Sequence, residues 1–274
     1  MNKKKIKKLL SKILPSGQIK EIVKLIYYNL LSSSKVKFGI NKKNNTYITK
    51  YNNKSFETDT PLYSIYKDFG FYTTFYMPKE GDTILDIGAN SGVISLHFAS
   101  IMNNNGTIYS IEPDNNNIID IKKNLNLNPK FKSIIKIDNS LIWNANTTIK
   151  FHEDSSVASS IFYKGKNAKT VLKNTITLDF WAEKNNVTKI DFIKMDIEGA
   201  EIEAIEGASN LIKNFTPNFA IASYHIIKGQ PTYLKLEKIF EKLNYPYKTV
   251  KITKTEIITY AGPMLKKVAN NIEK

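Results

Sequence analysis

At 274 residues, with 42% hydrophobic and 11% aromatic content, the chain has the size and core material of one α/β domain with extensions, and global disorder is excluded. The absence of cysteine excludes disulfide frameworks, thiolate metal sites and cysteine nucleophiles, and the three histidines, His97, His152 and His225, are too few for a histidine-rich centre. The net charge is +15, yet all 40 basic residues are lysine; without the bidentate guanidinium fork, sequence-specific reading of nucleic acid is not expected.

In chain order, residues 1–34 read as a basic amphipathic helical extension. Ile6, Leu9, Leu10 and Ile13 repeat at helical spacing among six lysines within residues 1–14, and Pro15-Ser16-Gly17 breaks the pattern. Ile19, Ile22, Val23, Ile26 and Leu30 then form a second apolar face. Lysines interrupt the first segment too often for a secretory signal, and no stretch reaches the roughly 18 apolar residues of a membrane span. The expected location is cytoplasmic; residues 1–14 read as a helix packed on the domain with a solvated lysine face, and contact with the anionic inner face of a membrane is the alternative.

Residues 35–78 read as a hairpin, 36–40 with 46–51 around an Asn-rich turn, followed by an aromatic-rich helix over 61–77, whose cluster is read first as packing against the next domain, with a substrate cap as the alternative. From residue 79 to 262 short apolar runs alternate with helical stretches. This is the pattern of a parallel sheet with crossover helices. Strands are expected at 83–87, 107–111, 133–137, 191–195 and 218–222, with inserted strands near 147–151 and 171–177. A helix near 233–243 and strands at 247–253 and 256–260 close the domain, the last strand antiparallel. Residues 263–274 read as a polar tail.

Chemistry concentrates at the predicted carboxyl ends of the strands, where ligands of open α/β sheets bind. The first strand ends at Asp86 and runs into a glycine turn holding Gly88, Asn90 and Gly92. Its G-x-x-x-G spacing is neither the dinucleotide fingerprint nor a P-loop, and Asp86 beside it suits a positively charged ligand without phosphate, such as S-adenosylmethionine. Glu112 ends the next strand, placed to accept ribose hydroxyls. Asp138, Asn139 and Ser140 end the third, within reach of an adenine. The fourth ends in Asp196 and Glu198, and the fifth carries His225.

Taken together, these segments resemble the FkbM-type S-adenosylmethionine-dependent methyltransferases: DTILDIGANSGVIS from Asp82, IEPD at Glu112, NLNLN at residues 124–128, TLDFW at 177–181, KMDIEGAE at 194–201 and EGA at 206–208. The resemblance covers about residues 78–260. It implies a Rossmann-like class I methyltransferase fold, α/β with a mostly parallel seven-stranded sheet, and O-methylation of a sugar, glycan or secondary-metabolite hydroxyl. His225 is then the expected base, with Asp196 and Glu198 orienting it, binding the acceptor or holding a divalent cation. Two oxygen donors and one histidine form an incomplete shell, so no metal is assigned. RNA ribose 2′-O-methylation, and a non-catalytic protein of this fold that binds a membrane or partner, are the alternatives.

Overall fold

The computed structural model describes residues 17–31, 36–63, 68–154, 159–165 and 168–266. The expectations for residues 1–14 and for most of the polar tail lie outside them. The chain forms two compact units, Met1–Tyr66 and Lys67–Lys274.

In the first unit, helix α1 (Gln18–Leu31) precedes three antiparallel strands in spatial order, β1 (Val36–Asn41), β2 (Thr46–Tyr51) and β3 (Lys54–Thr58). The expected hairpin is therefore a three-stranded meander. Its second turn is the pair Asn52-Asn53, at φ 46° and 67°. Asparagine tolerates the left-handed conformation that tight hairpin turns require. Asn29 ties α1 to β1, its side chain accepting from Phe38 N at 2.8 Å and donating to Phe38 O at 2.9 Å. Ile19, Ile22, Ile26 and Leu30 of the predicted apolar face are exposed.

The second unit is built on a seven-stranded sheet. In chain order its strands are β4 (Thr83–Ile87), β5 (Thr107–Ile111), β6 (Ile135–Asp138), β10 (Phe192–Met195), β11 (Asn218–Ala222), β14 (Tyr247–Lys251) and β15 (Ile257–Ala261). In space they run β14-β15-β11-β10-β4-β5-β6. Strands β4, β5, β6, β10 and β11 pair in parallel, while β15 runs antiparallel between β11 and β14. The strands are buried on both faces, which is why they read as continuous apolar runs. The order reverses between β4 and β10, creating the switch point at which a cleft opens. Helices α3 (Val93–Ile101), α4 (Asn115–Leu127), α5 (Leu178–Lys184), α6 (Glu201–Glu206), α7 (Ser209–Phe215) and α8 (Tyr233–Lys242) accompany the sheet.

The insertion forms a separate three-stranded sheet, with β7 (Leu141–Ile142), β8 (Thr148–Glu153) and β9 (Lys169–Ile176) in the order β7-β9-β8, and a two-stranded ribbon, β12 (Ile226–Ile227) with β13 (Gln230–Pro231), follows β11. Among the described residues, the helix expected over 61–77 shrinks to a single turn, α2 (Asp68–Phe71). Gly70 lowers helix propensity there, and the Thr73 and Thr74 hydroxyls donate to the Phe69 and Gly70 carbonyls at 2.7 and 3.0 Å. No helix of the described residues is long and apolar enough to cross a membrane.

His97 lies within α3, fully buried and stacked on Phe69 at 4.4 Å between ring centroids. Burial disfavours its charged form and brings its pKa down from 6.5 to about 3. As pH falls below 6.5 the unfolded chain takes up a proton that the folded one refuses, so stability present above pH 6.5 is lost toward pH 3. This group alone contributes a slope of about 1.4 kcal/mol per pH unit. Urea unfolding across that window should therefore be steeper in pH for the wild type than for His97→Leu; parallel profiles would exclude His97 as the source.

Candidate functional site

Asp86 and Lys194 are register partners on β4 and β10, buried at the switch point. The lysine Nζ stands 3.1 Å from Asp86 Oδ1 and donates to the Gly88 carbonyl at 2.8 Å. Ser95 of α3 donates to Asp86 Oδ2 at 2.6 Å. Burial pushes the lysine pKa down, but Asp86 and then Asp196 and Glu112 more than reverse this, so the amine stays charged. Asp86 thus neutralises an internal lysine and shapes the glycine turn from beneath.

At the turn, the Gly88 and Ala89 amides donate to the Ile111 carbonyl at 3.0 and 3.1 Å. Gly88 has φ +75°, and a Cβ there would lie 1.8 Å from the Asp196 carbonyl oxygen. Only glycine lets the two strand ends approach so closely. Gly92 caps α3 against Ile121. Asn90, at φ 49°, turns its amide to Glu112 Oε2 at 2.8 Å. The other Glu112 oxygen accepts from Asp114 N at 2.9 Å and from the Asn117 side chain at 3.3 Å. Burial raises the Glu112 pKa, and these donors oppose the rise.

The cleft above is lined by Gly88, Asn90, Glu112, Ser140, Asp196 and Glu198, with apolar Ile111, Ile142 and Phe151 between them. Of the remaining predicted residues, Asp138 Oδ2 accepts from Trp181 Nε1 at 3.1 Å, and the Asn139 side chain donates to the Glu112 and Pro113 carbonyls at 2.9 and 3.0 Å. Those two hold the rim together, and of this trio Ser140 lines the space.

At the far end, His225 Nε2 stands 3.7 Å from Asp196 Oδ1 and 3.5 Å from Glu198 Oε2. Its Nδ1 stands 3.0 Å from Glu201 Oε1. Burial lowers the imidazole pKa, but Glu201, Glu198 and Asp196 together push it up to about 11. Glu198 adopts φ 54°, a left-handed conformation costing a non-glycine residue about 1–3 kcal/mol.

Four residues complete the site beyond those expected. Tyr72 donates to Asp196 Oδ2 at 3.0 Å, and Ser160 of the insertion donates to the Glu198 carbonyl at 3.0 Å. Glu201, fully buried, accepts from Ile197 N and Gly199 N at 3.1 and 3.2 Å. Lys194 is the fourth; a lysine inside a fully buried strand run was the legible signal for it. Glu201 is legible as the third acid of the run Asp196, Glu198, Glu201, whereas nothing local marks Ser160.

A family model described as the methyltransferase FkbM domain matches residues 86–247. Hexuronic acid methyltransferase AglP of Haloferax volcanii is 26% identical over 147 residues, which cover 54% of this chain and 57% of that protein. The crystal structure of methyltransferase FkbM from Methylobacillus flagellatus shares the fold, with a TM-score of 0.53 and 19% identity over 70% of this chain and 47% of the other. The chain thus spans about half the length of these relatives.

Replacing Lys194 by Met should leave the Asp86 carboxylate buried without its cation, a loss of about 3–5 kcal/mol. Chemical denaturation measures it. A change under 1 kcal/mol would mean that the pair behaves like a surface salt bridge.

Proposed function

We propose that this chain, which belongs to the FkbM methyltransferase family, is an S-adenosylmethionine-dependent O-methyltransferase acting on a hydroxyl of a sugar or glycan. One observation carries the reading. On a chain of net charge +15, the described lining of the cleft holds three carboxylates, Glu112, Asp196 and Glu198, and no lysine. Such a lining repels phosphates and favours a cationic ligand. The sulfonium and ammonium of S-adenosylmethionine have that charge, and the cofactor supplies, when bound, a methyl carbon open to attack by oxygen. The sugar class is supported by the hexuronic acid methyltransferase to which the chain is similar.

In this reading the glycine turn and Glu112 hold the nucleoside part, with Ser140 at the base. Asp196, Glu198 and His225 face the acceptor from the ends of β10 and β11. Their first service is to orient the hydroxyl, and good positioning is worth about 7–11 kcal/mol. Their second is to draw off its proton, which adds about 10²–10⁴-fold.

Two substitutions test the assignment. Glu112→Ala should weaken S-adenosylmethionine binding by about 1.5–3 kcal/mol in calorimetry, the value of a lost charge-assisted hydrogen bond. His225→Ala should lower turnover on a panel of sugar acceptors by about 10²–10⁴-fold while cofactor affinity stays near wild type. A wild type without affinity for the cofactor would overturn the reading. Methyl transfer to RNA ribose in place of sugars would favour the alternative acceptor.

Residues 1–14 extend the proposal to location. Six lysines and no acid, interleaved with apolar residues, suit reversible attachment to an anionic membrane, where lipid-carried glycans are presented. In sedimentation with anionic vesicles, a chain starting at Ser16 should lose binding and keep its melting temperature. Equal binding, or a melting point many degrees lower, would show that the segment is packed structure.

A further inference from the structure

We propose that Asp196, Glu198 and His225 form a divalent-cation site at which the acceptor hydroxyl is coordinated, with Glu201 as the residue that positions the imidazole. The purpose of the site rests on the methyl-transfer reading above; its existence does not. Each of the three residues offers one ligand atom, and all three atoms lie within 4.8 Å of one another. Ligand atoms about 2.1 Å from a common ion stand about 3–3.5 Å apart at octahedral to tetrahedral angles. The observed separations of 3.5 and 3.7 Å between Nε2 and the two carboxylate oxygens match that spacing within a small inward shift. They are too long for direct hydrogen bonds.

Independent of the acids, the imidazole itself points to a ligand. The His225 side chain is only 6% exposed, and its Nε2 makes no hydrogen bond although it faces the gap between Asp196 and Glu198. Asp196 Oδ1, on the same gap, is also buried without a hydrogen bond. Tyr72 occupies the other Asp196 oxygen, leaving Oδ1 for the ion. Behind the ring, Glu201 stands 3.0 Å from Nδ1 and is itself locked by two backbone amides. That is the spacing of a carboxylate–histidine–metal arrangement: Nδ1, like Nε2, makes no hydrogen bond in this geometry, and a small rotation of the ring toward Glu201 would fix the proton on Nδ1 and free the lone pair of Nε2. The left-handed backbone of Glu198, held by Ser160, aims the remaining carboxylate at the same point.

Asp196 and Glu198 keep 25% and 26% of their side-chain surface exposed, so the cation would remain open toward the cleft. The incomplete protein shell that argued against a metal from the sequence becomes an argument for catalysis. Mg²⁺ and similar ions retain several waters, and substrate oxygens replace them. With two carboxylates, one imidazole and no thiolate, the donor set suits Mg²⁺ or Mn²⁺. A coordinated hydroxyl loses its proton to water more readily. Its oxygen then forms the new C–O bond as the methyl–sulfur bond breaks, the electron pair going to sulfur.

The test is Mn²⁺ binding to the tag-free, full-length protein, followed by electron paramagnetic resonance of the free ion. The wild type should bind one ion per chain. Asp196→Asn and Glu198→Gln should weaken it at least tenfold, and Glu201→Gln by about 10–100-fold, as for residues that orient a metal-bound histidine. Mn²⁺ should raise the melting temperature of the wild type and not that of Asp196→Asn. Methyl transfer should stop in EDTA and return with Mn²⁺ or Mg²⁺. A wild type that binds no Mn²⁺, variants that bind it equally, or full turnover in EDTA would each overturn the cation site, the last leaving the methyltransferase reading intact. A protein that binds Mn²⁺ at these residues but has no affinity for S-adenosylmethionine would overturn that reading and leave the cation site standing.

Discussion

A buried ion pair between neighbouring strands organises the second unit. Asp86 and Lys194 face each other in register on β4 and β10, where the strand order reverses. Stripping both charges of water is costly, and such pairs are compensated only when further hydrogen bonds satisfy them. Here Ser95 and the Gly88 carbonyl provide those bonds. The pair therefore fixes three things together: the spacing of the two strands, the start of α3 and the path of the glycine turn. Of the cleft lining, Gly88 and Asn90 sit in that turn and Asp196 and Glu198 directly follow β10.

The cleft inherits its electrostatics from this arrangement. Glu112, Asp196 and Glu198 face the same space, while Lys194 lies beneath the turn, committed to Asp86, and Lys173 is held at the rim by Glu153 and the Pro113 carbonyl. The net charge of the chain and the local charge of the site thus have opposite signs, and the local field decides what binds.

The His225 end of the cleft draws on distant segments. Tyr72 lies upstream of β4 and reaches Asp196 from 124 residues away in sequence. Ser160, from the insertion, holds the backbone of Glu198 in its strained conformation. Glu201 opens α6 and sits behind His225. An imidazole surrounded by three carboxylates is stable only with a compensating cation, either its own proton or a metal ion. That requirement joins the proposed chemistry to the observed geometry.

The sequence by itself determined the alternation of strands and helices, the glycine turn after β4 and the acids at successive strand ends. Parallel strands buried on both faces must be continuous apolar runs, and right-handed crossovers bring their carboxyl ends to one edge. The family resemblance followed from the same segments, which the matched region of residues 86–247 largely contains. The first unit was legible only in part, because the Asn52-Asn53 turn announces its third strand less plainly than a glycine would. What only the tertiary structure decided is partnership. The sequence offers Asp86 to a ligand, whereas the fold commits it to Lys194 across the register, and it offers Asn139 to an adenine, whereas the side-chain amide spans two carbonyls. Ser160 and Tyr72 carry no local mark of their roles. Strand register and the crossing of elements set which side chains meet, and those depend on contacts hundreds of atoms apart along the chain, which no local pattern of residues encodes.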